Sequence, residues 1–456
     1  MPQTRSADDR AFLGHPKGLG YLAFTEAWER FSYYGMQSLL VLYMAKYLLL
    51  PGHIEHIAFF GAFRKLFGDA SGPALASAIF GSYAALVYFT PTFGGLIADH
   101  WLGKRRAVLT GALFMAAGHF LMAFDVSFLF ALLALILGSG LFKGNLASQI
   151  GALYDEGDLR RADAFQIYYL AINAAVILSP LVTGTLGEKV GWHWGFGAAG
   201  VGMLIAIAVY LSGRRYLPPE RGEIAAVVKA PRERMTRDDW LALGLVILLI
   251  PTLAVLLLPN QEIFNAYLLW GDKAFDLKFF GEQLPTTWLI TLDAVVSVSF
   301  LAIVLLFYRW YATRRREPDE LTKMIIGSVF AAAGMACLYM AAATQPAGGK
   351  IGLFWPVAFH FLNSIAFAHI LPVSLALFAR LAPKQLSATV VGMYSMAFSL
   401  ANYLVGWIGG WFATMPTTTF WLMHAGFAGA AGAVFVVLKI VLAKRLAQAE
   451  AVPAAA

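Results

Sequence analysis

Five ionisable side chains stand inside long apolar stretches of this 456-residue chain: Glu26, Glu29, Arg30, Lys143 and Asp293. A charge at the centre of a bilayer costs at least about 2.5 kcal/mol, so an ion in such a stretch is a candidate functional group by default. Three of them fall in the segment FTEAWERFSYYGMQ. Glu26 and Glu29 are three residues apart and Arg30 is four beyond Glu26, which on a helix puts the carboxylates and the guanidinium on one face. Tyr33 and Tyr34 continue that helix toward its middle. Lys143 lies with Asn145 in the glycine-rich run LGSGLFKGNLASQIGALY. Tyr169 and Asn173 are four apart in FQIYYLAINAAVILSP, and Asp293 is alone among apolar neighbours in TTWLITLDAVVSVSF.

Each group has a structural reading beside the functional one. The first cluster is an ion-pair knot near a helix end, Lys143 a lysine that snorkels, Asn173 a hydrogen bond to another helix and Asp293 an exposed carboxylate near its span's outer end. Against the first, buried ion pairs often cost as much desolvation as they return. Against the second, the glycines around Lys143 admit a neighbouring helix. If all five ions face one cavity, three negative charges and two positive ones leave one negative charge over. A proton, or the ammonium group of a bound substrate, neutralises it, which is the balance expected of a proton-coupled importer of amine-bearing molecules.

The elements that must position these groups follow from composition. Hydrophobic residues make up 59% of the chain and charged residues 13%, against about 25% charged in soluble domains. A soluble enzyme is excluded. The apolar runs are continuous, not alternating, which selects helices over a transmembrane barrel. At roughly 20 residues per span, the pattern predicts twelve spans over residues 20–49, 74–98, 106–124, 128–152, 164–186, 192–212, 240–258, 286–309, 321–343, 351–379, 387–412 and 418–443.

Lysine and arginine set the orientation. The side that holds the termini collects 25 of the 34 basic residues and the opposite side six, so the positive-inside rule predicts both termini in the cytoplasm. The longest connection on that side contains Pro218, Pro219 and mixed charge. It divides the chain into an N-terminal six-helix bundle, 1–212, a cytoplasmic linker, 213–239, and a C-terminal six-helix bundle, 240–456. The first twenty residues lack the apolar core of a cleavable signal peptide, so the first span is expected to stay as an uncleaved anchor. Cys337, the only cysteine, leaves no disulfide framework and no cysteine metal site. The net charge of +7 is spread over loops, which does not make the basic face that nucleic acid requires. Residues 50–72 form a long outer loop whose Phe59, Phe60, Phe63 and Phe67 are placed to lie along the membrane surface.

On these residues the chain resembles a known family, the proton-dependent oligopeptide transporters of the major facilitator superfamily, whose two six-helix halves it shares. Glu26–Gly35 (EAWERFSYYG) is similar to the family's ExxERFxYYG motif of the first span. Gly94–Arg106 (GGLIADHWLGKRR) resembles the superfamily's loop motif between the second and third spans. Leu141–Asn145 with Gly151–Tyr154 is similar to the fourth-span pattern, Phe165, Tyr169, Ile172 and Asn173 to the fifth-span signature, and Gly191–Phe196 (GWHWGF) is also typical. In the second half the likeness rests on Leu284–Trp288, Leu381–Pro383 and Asn402–Gly406.

The resemblance implies an all-α integral membrane protein of the major facilitator superfamily fold, with twelve transmembrane helices in two six-helix bundles. It also implies a place in a bacterial inner membrane and import of di- and tripeptides by alternating access, driven by the inward proton gradient. Carried over residue by residue, Glu26, Glu29, Arg30 and Lys143 are the proton-coupling network. Arg30, Lys143 and Tyr34 also hold the peptide carboxylate, a task suited to arginine's forked donors. Tyr33, Tyr88, Asn173 and Asp293 line the peptide backbone or its amino end, and Asp99, Arg105 and Arg106 belong to the cytoplasmic gate. The chain departs from the family pattern where Gln37 replaces an arginine and Asn260, before Gln261, replaces a glutamate. An ion pair thereby becomes an amide pair, Gln37 and Asn260, which is expected to close the outer side of the substrate site through hydrogen bonds. A tenth-span glutamate aligns with Phe367 and an eighth-span asparagine with Asp293, so the acidic group has moved from one side of the pocket to the other. The linker is too short for the extra helical hairpin that many bacterial members insert.

The implied partners are protons, a small peptide and the lipid bilayer, with a monomeric carrier, no nucleic acid, no metal and no cofactor. The altered pocket leaves an alternative cargo open: an amino acid, a modified peptide or another small amide. An intramembrane enzyme has less support, because His119, His360 and His369 have no nucleophile at a recognisable motif, and HExxH and GxxxxGK[ST] are absent. Counterflow separates a saturable carrier from a channel.

Overall fold

The structure is a computed structural model that describes residues 7–155, 157–218, 235–383 and 386–450. Its long helices are α1 Lys17–Tyr43, α2 Gly72–Phe89, α3 Lys104–Leu121, α4 Phe128–Gly151, α5 Arg160–Ser179, α6 Trp192–Gly213, α7 Arg237–Gln261, α8 Trp288–Ala312, α9 Glu320–Ala343, α10 Phe354–Leu381, α11 Ser387–Gly409 and α12 Thr417–Glu450. Each overlaps one of the twelve apolar runs, but the first, second and fifth runs extend beyond α1, α2 and α5 into the short helical segments Met44–Leu48, Pro91–Ile97 and Pro180–Gly184. Among the described residues, nine helices are long and apolar enough to cross a membrane by length and composition alone. α1, which contains Glu26, Glu29 and Arg30, is not one of the nine.

The chain divides into two compact units. Unit 1 comprises Met1–Arg232, Phe264–Lys273 and Leu277–Ala294, and unit 2 comprises Glu233–Ile263, Ala274–Asp276 and Val295–Ala456. Unit 1 therefore holds α1 to α6, most of a short helix Ala266–Ala274 and the first turns of α8. The linker expected over 213–239 is described only at its ends, and residues 219–234 lie outside the described residues. The small hairpin of β1 Lys278–Phe279 and β2 Glu282–Gln283 pairs Lys278 with Gln283. It turns through Phe280 and Gly281, both at positive φ (50° and 85°), as a two-residue hairpin loop requires.

In unit 1 the helices approach through small residues. A Cβ on Gly94, in the short helix Pro91–Ile97, would land on the Gly140 carbonyl of α4, and one on Gly111 of α3 would meet the Gly138 carbonyl. Such close approach is the usual means of joining helices in lipid, where apolar contact alone supplies little drive. Asn145 Nδ2 fastens the same junction by donating to the Gly94 carbonyl (3.2 Å) and the Leu141 carbonyl (2.8 Å). α1 meets α5 through Gly35, which faces Ser179 and Thr183, and Ser179 Oγ donates to the Phe31 carbonyl at 2.5 Å. The 50–72 segment is folded back onto the α3–α4 turn by Ala58 N to Val126 O (3.1 Å) and by His53 against Asp125 (2.8 Å). Phe60 is buried and Phe59 exposed there, and the rings of Phe60, Phe63 and Phe67 follow one another at 6.1 and 5.2 Å.

The glycine junction makes a paired prediction. Gly94→Val forces a side chain onto backbone, and overpacking costs typically about 1–3 kcal/mol. A melting curve in detergent is expected to fall by several degrees for Gly94→Val and to stay in place for Gly95→Val, whose Cβ meets nothing within 4 Å.

Unit 2 has its own core, in which Leu253 and Leu257 of α7 pack with Phe378 of α10, Ala401 of α11 and Phe435 of α12. α7 contains Pro251 and Pro259, each of which lacks an N–H and frees a carbonyl one turn earlier. At one end of the unit, Arg380 pairs with Glu320 (2.9 Å) and Lys439 with Asp319 (3.1 Å).

Candidate functional site

The site in unit 1 starts from the helical spacing of α1. Arg30 Nε donates to Glu26 Oε1 at 2.7 Å and lies 2.8 Å from Glu29 Oε2, so one nitrogen serves two carboxylates. Glu29 is 0% exposed, Glu26 2% and Arg30 12%. The two acids are not equivalent. Glu26 accepts a hydrogen bond from Arg30, and Tyr168 of α5 directs its hydroxyl at the same carboxylate. Among the described residues neither oxygen of Glu29 has a hydrogen-bond partner, and its contact with Arg30 is an ion pair. A buried anion without hydrogen bonds is the more costly of the two to keep charged.

Lys143 comes to this cluster from α4, two residues before the Asn145 clamp. Its ammonium sits 4.1 Å from the centre of the Tyr33 ring and 5.3 Å from that of Tyr88, a residue of α2. The Arg30 guanidinium lies 5.7 Å from the same Tyr33 ring. Tyr33 is thus an aromatic plate shared by two cations, whose attraction to ring faces grows once water is removed. Lys143 also feels Glu29, Glu26 and Arg30 electrostatically, and Tyr34, whose ring meets Tyr33 edge-on at 5.2 Å, feels Arg30 and both glutamates. Glu26, Glu29, Arg30, Tyr33, Tyr34, Tyr88 and Lys143 are therefore brought together. The four ions sum to zero, so the surplus negative charge of the five-ion count belongs to Asp293 by itself.

The remaining sequence candidates are placed differently. Asp293 is half-buried in the first turns of α8, and Thr291 of the same helix donates to the Ile177 carbonyl of α5 at 3.1 Å. Asn173 turns its amide back onto the Tyr169 carbonyl of its own helix at 2.8 Å, and Tyr169 is 56% exposed. The tyrosine that reaches the ions is Tyr168, which the sequence reading passed over. Gln37 is buried in unit 1, whereas Asn260 lies in unit 2, where it accepts from Gln261 Nε2 (3.0 Å) and Gln261 accepts in turn from Asn402 Nδ2 (3.2 Å). Phe367 lines a small hollow in unit 2 with Asn260 and Asn363. Of the gate residues, Arg105 donates to the carbonyls of Leu217 (2.6 Å) and Pro218, while Asp99 and Arg106 are exposed.

A second grouping in unit 1 had no signal in the sequence beyond an acidic residue at the end of a span. Glu188 accepts from Thr286 N (2.8 Å), Thr287 N (2.9 Å) and Thr287 Oγ1 (2.7 Å), and so caps the start of α8 from another part of the chain. Helix N-termini leave N–H groups unfilled and favour negative charge. Trp288 Nε1 donates to Thr185 Oγ1 (3.0 Å), and Lys46 pairs with Asp272 (2.6 Å), which also accepts from Thr286 Oγ1 (3.1 Å). Glu188→Ala orphans donors on two buried threonines, each worth about 1–3 kcal/mol. Thermal unfolding in detergent is expected several degrees lower for Glu188→Ala, with partial recovery in Glu188→Gln, which keeps one acceptor oxygen.

A family model described as the POT family matches residues 105–230 and 223–424. The chain is 28% identical over 475 residues to the peptide transporter YePEPT of Yersinia enterocolitica subsp. palearctica, covering 89% of this chain and 90% of the relative. It is 30% identical over 327 residues to a di-/tripeptide transporter of Lactococcus lactis subsp. lactis, covering 71% of this chain and 58% of the relative. A crystal structure described as the peptide transporter POT in complex with sulfate superposes with a TM-score of 0.81 at 25% identity, covering 96% of this chain and 97% of that one. The helices and the ion cluster of α1 and α4 thus stand in the setting of a known carrier fold, that of the major facilitator superfamily, and the chain belongs to the POT family.

Proposed function

We propose that this protein is a proton-coupled symporter that imports di- and tripeptides by alternating access across a bacterial inner membrane, as a monomer with both termini in the cytoplasm. The observation that carries the reading is the contrast inside the cluster: Glu29 is fully buried and ion-paired to Arg30 without a hydrogen bond, opposite the Lys143 ammonium held on Tyr33. Glu29 is the group that takes the proton. Once it is neutral, Arg30 and Lys143 face Glu26 alone and the cluster carries one positive charge. That charge suits the carboxylate of a peptide, which Arg30, Lys143 and Tyr34 then hold. Tyr33, Tyr88 and Asn173 line the peptide backbone, and Asp293 meets its amino end. Cargo release restores the Arg30–Glu29 pair as the proton leaves. Gln37 and Asn260 close the outer side, Asp99, Arg105 and Arg106 the cytoplasmic side, and the halves 1–212 and 240–456 rock about the 213–239 linker. The names of the Yersinia and Lactococcus relatives support a peptide cargo.

The replacement at Phe367, beside Asn260 in an apolar hollow, favours a second reading with a different small amide or amino acid as cargo. Uptake into proteoliposomes under an imposed inward proton gradient decides between them. A panel of di- and tripeptides is expected to accumulate and to saturate. Transport of amino acids but of no peptide would replace the first reading with the second, and transport that never saturates would remove the carrier altogether.

A further inference from the structure

Unit 2 contains an acid–base pair that the cluster on α1 does not use. Glu262 follows α7 directly, His424 lies on α12, both are 0% exposed, and His424 Nε2 is 3.5 Å from Glu262 Oε1. The other ring nitrogen, Nδ1, is 2.9 Å from the Phe420 carbonyl. A carbonyl only accepts, so Nδ1 carries a hydrogen. Nε2 and Glu262 Oε1 are at ion-pair distance, longer than a hydrogen bond, and a proton placed between them would join the two groups. Around the pair the surface is aromatic, with the rings of Phe420, Trp421 and Phe427 centred 4.4, 5.8 and 5.8 Å from the imidazole. A carboxylate is costly in such a place unless something neutralises it.

The neighbouring helices offer few competing charges. Glu320 and Lys323 on α9, Arg380 on α10 and Lys439 on α12 gather at the other end of the unit, where Arg380 meets Glu320 and Lys439 meets Asp319. Fifteen residues separate His424 from Lys439 along α12, roughly 22 Å at 1.5 Å per residue. The other titratable groups on these helices are Cys337 and Tyr339 on α9, His360 and His369 on α10 and Tyr394 and Tyr403 on α11. Glu262 also lies at a turning point of the chain, three residues after Pro259 and two before unit 2 gives way to unit 1 at Phe264.

We propose that Glu262 and His424 form a second proton-binding site, separate from Glu29, that holds one proton between its two members and joins proton occupancy to the end of α7. The site itself stands independently of the cargo; its part in the transport cycle rests on the symport reading above. The test uses the full chain in liposomes without cargo. Infrared difference spectra across a pH step are expected to show a carboxyl or imidazole protonation band in the wild type. It is expected to vanish in Glu262→Gln, in His424→Gln and, with no further change, in the double variant. Wild-type bands retained in folded Glu262→Gln and His424→Gln overturn the site, and melting curves identify a variant that has not folded. The role is read separately with dialanine. Glu262→Gln is expected to lose proton-driven uptake by roughly tenfold or more, as a coupling of 1–3 kcal/mol implies, and to keep exchange of labelled for unlabelled peptide. Full proton-driven uptake in that variant overturns the role while leaving the infrared result to decide the site, and a wild type that moves no dialanine counts against the symport reading alone.

Discussion

Lys143→Ala is expected to reduce proton-driven peptide uptake by at least roughly 30-fold, because removing one partner of a buried charge cluster costs about 2–5 kcal/mol and each 1.4 kcal/mol is tenfold. The loss follows from where the ammonium sits. On the Tyr33 and Tyr88 rings it is held by aromatic faces and by the field of two glutamates, without an ion pair among the described residues. In the proposed cycle it meets the incoming carboxylate. Alanine leaves Glu26 and Glu29 with Arg30 alone, so a protonated Glu29 yields a neutral cluster with no charge to offer the cargo. Lys143→Arg is expected to be intermediate, since a guanidinium stacks on the same rings but is broader than an ammonium. Uptake that saturates as in the wild type in Lys143→Ala would mean that the lysine only snorkels.

The second large effect falls on stability. Arg30→Leu removes a cation in contact with both buried carboxylates, and breaking a buried pair from one side typically costs about 3–5 kcal/mol. The expected result is a marked drop in the melting temperature of the purified protein. Glu29→Gln alone is expected to cost less, because Glu26 keeps its hydrogen bond to Arg30. The double variant Arg30→Leu with Glu29→Gln is expected to recover much of the loss, since it relieves the charge that the first change strands. A double-mutant cycle measures that coupling; strictly additive changes would show that Arg30 and Glu29 do not act on one another.

Contacts within one helix turn were legible without coordinates. The offsets of three and four along α1 are enough to place Glu26, Glu29 and Arg30 on one face, and Arg30 meets both acids as that spacing requires. Contacts across helices were not. Tyr168 and Tyr169 are adjacent in sequence and the fifth-span pattern contains only Tyr169, yet adjacent positions point about 100° apart on a helix, and it is Tyr168 that interacts with Glu26. The grip of Glu188 on Thr286 and Thr287 spans 98 and 99 positions, with nothing in either segment to announce the other.

From its sequence alone this chain is an all-helical membrane protein of twelve apolar runs, with a charged knot in the first of them, because hydropathy and helical spacing are properties of neighbouring residues. Only the tertiary structure decided which acid of the knot lacks a hydrogen bond, that Lys143 rests on Tyr33 and that Glu262 meets His424. Those relations depend on how far each helix is turned about its own axis, and that angle is set by small residues and hydrogen bonds contributed by helices distant in the chain.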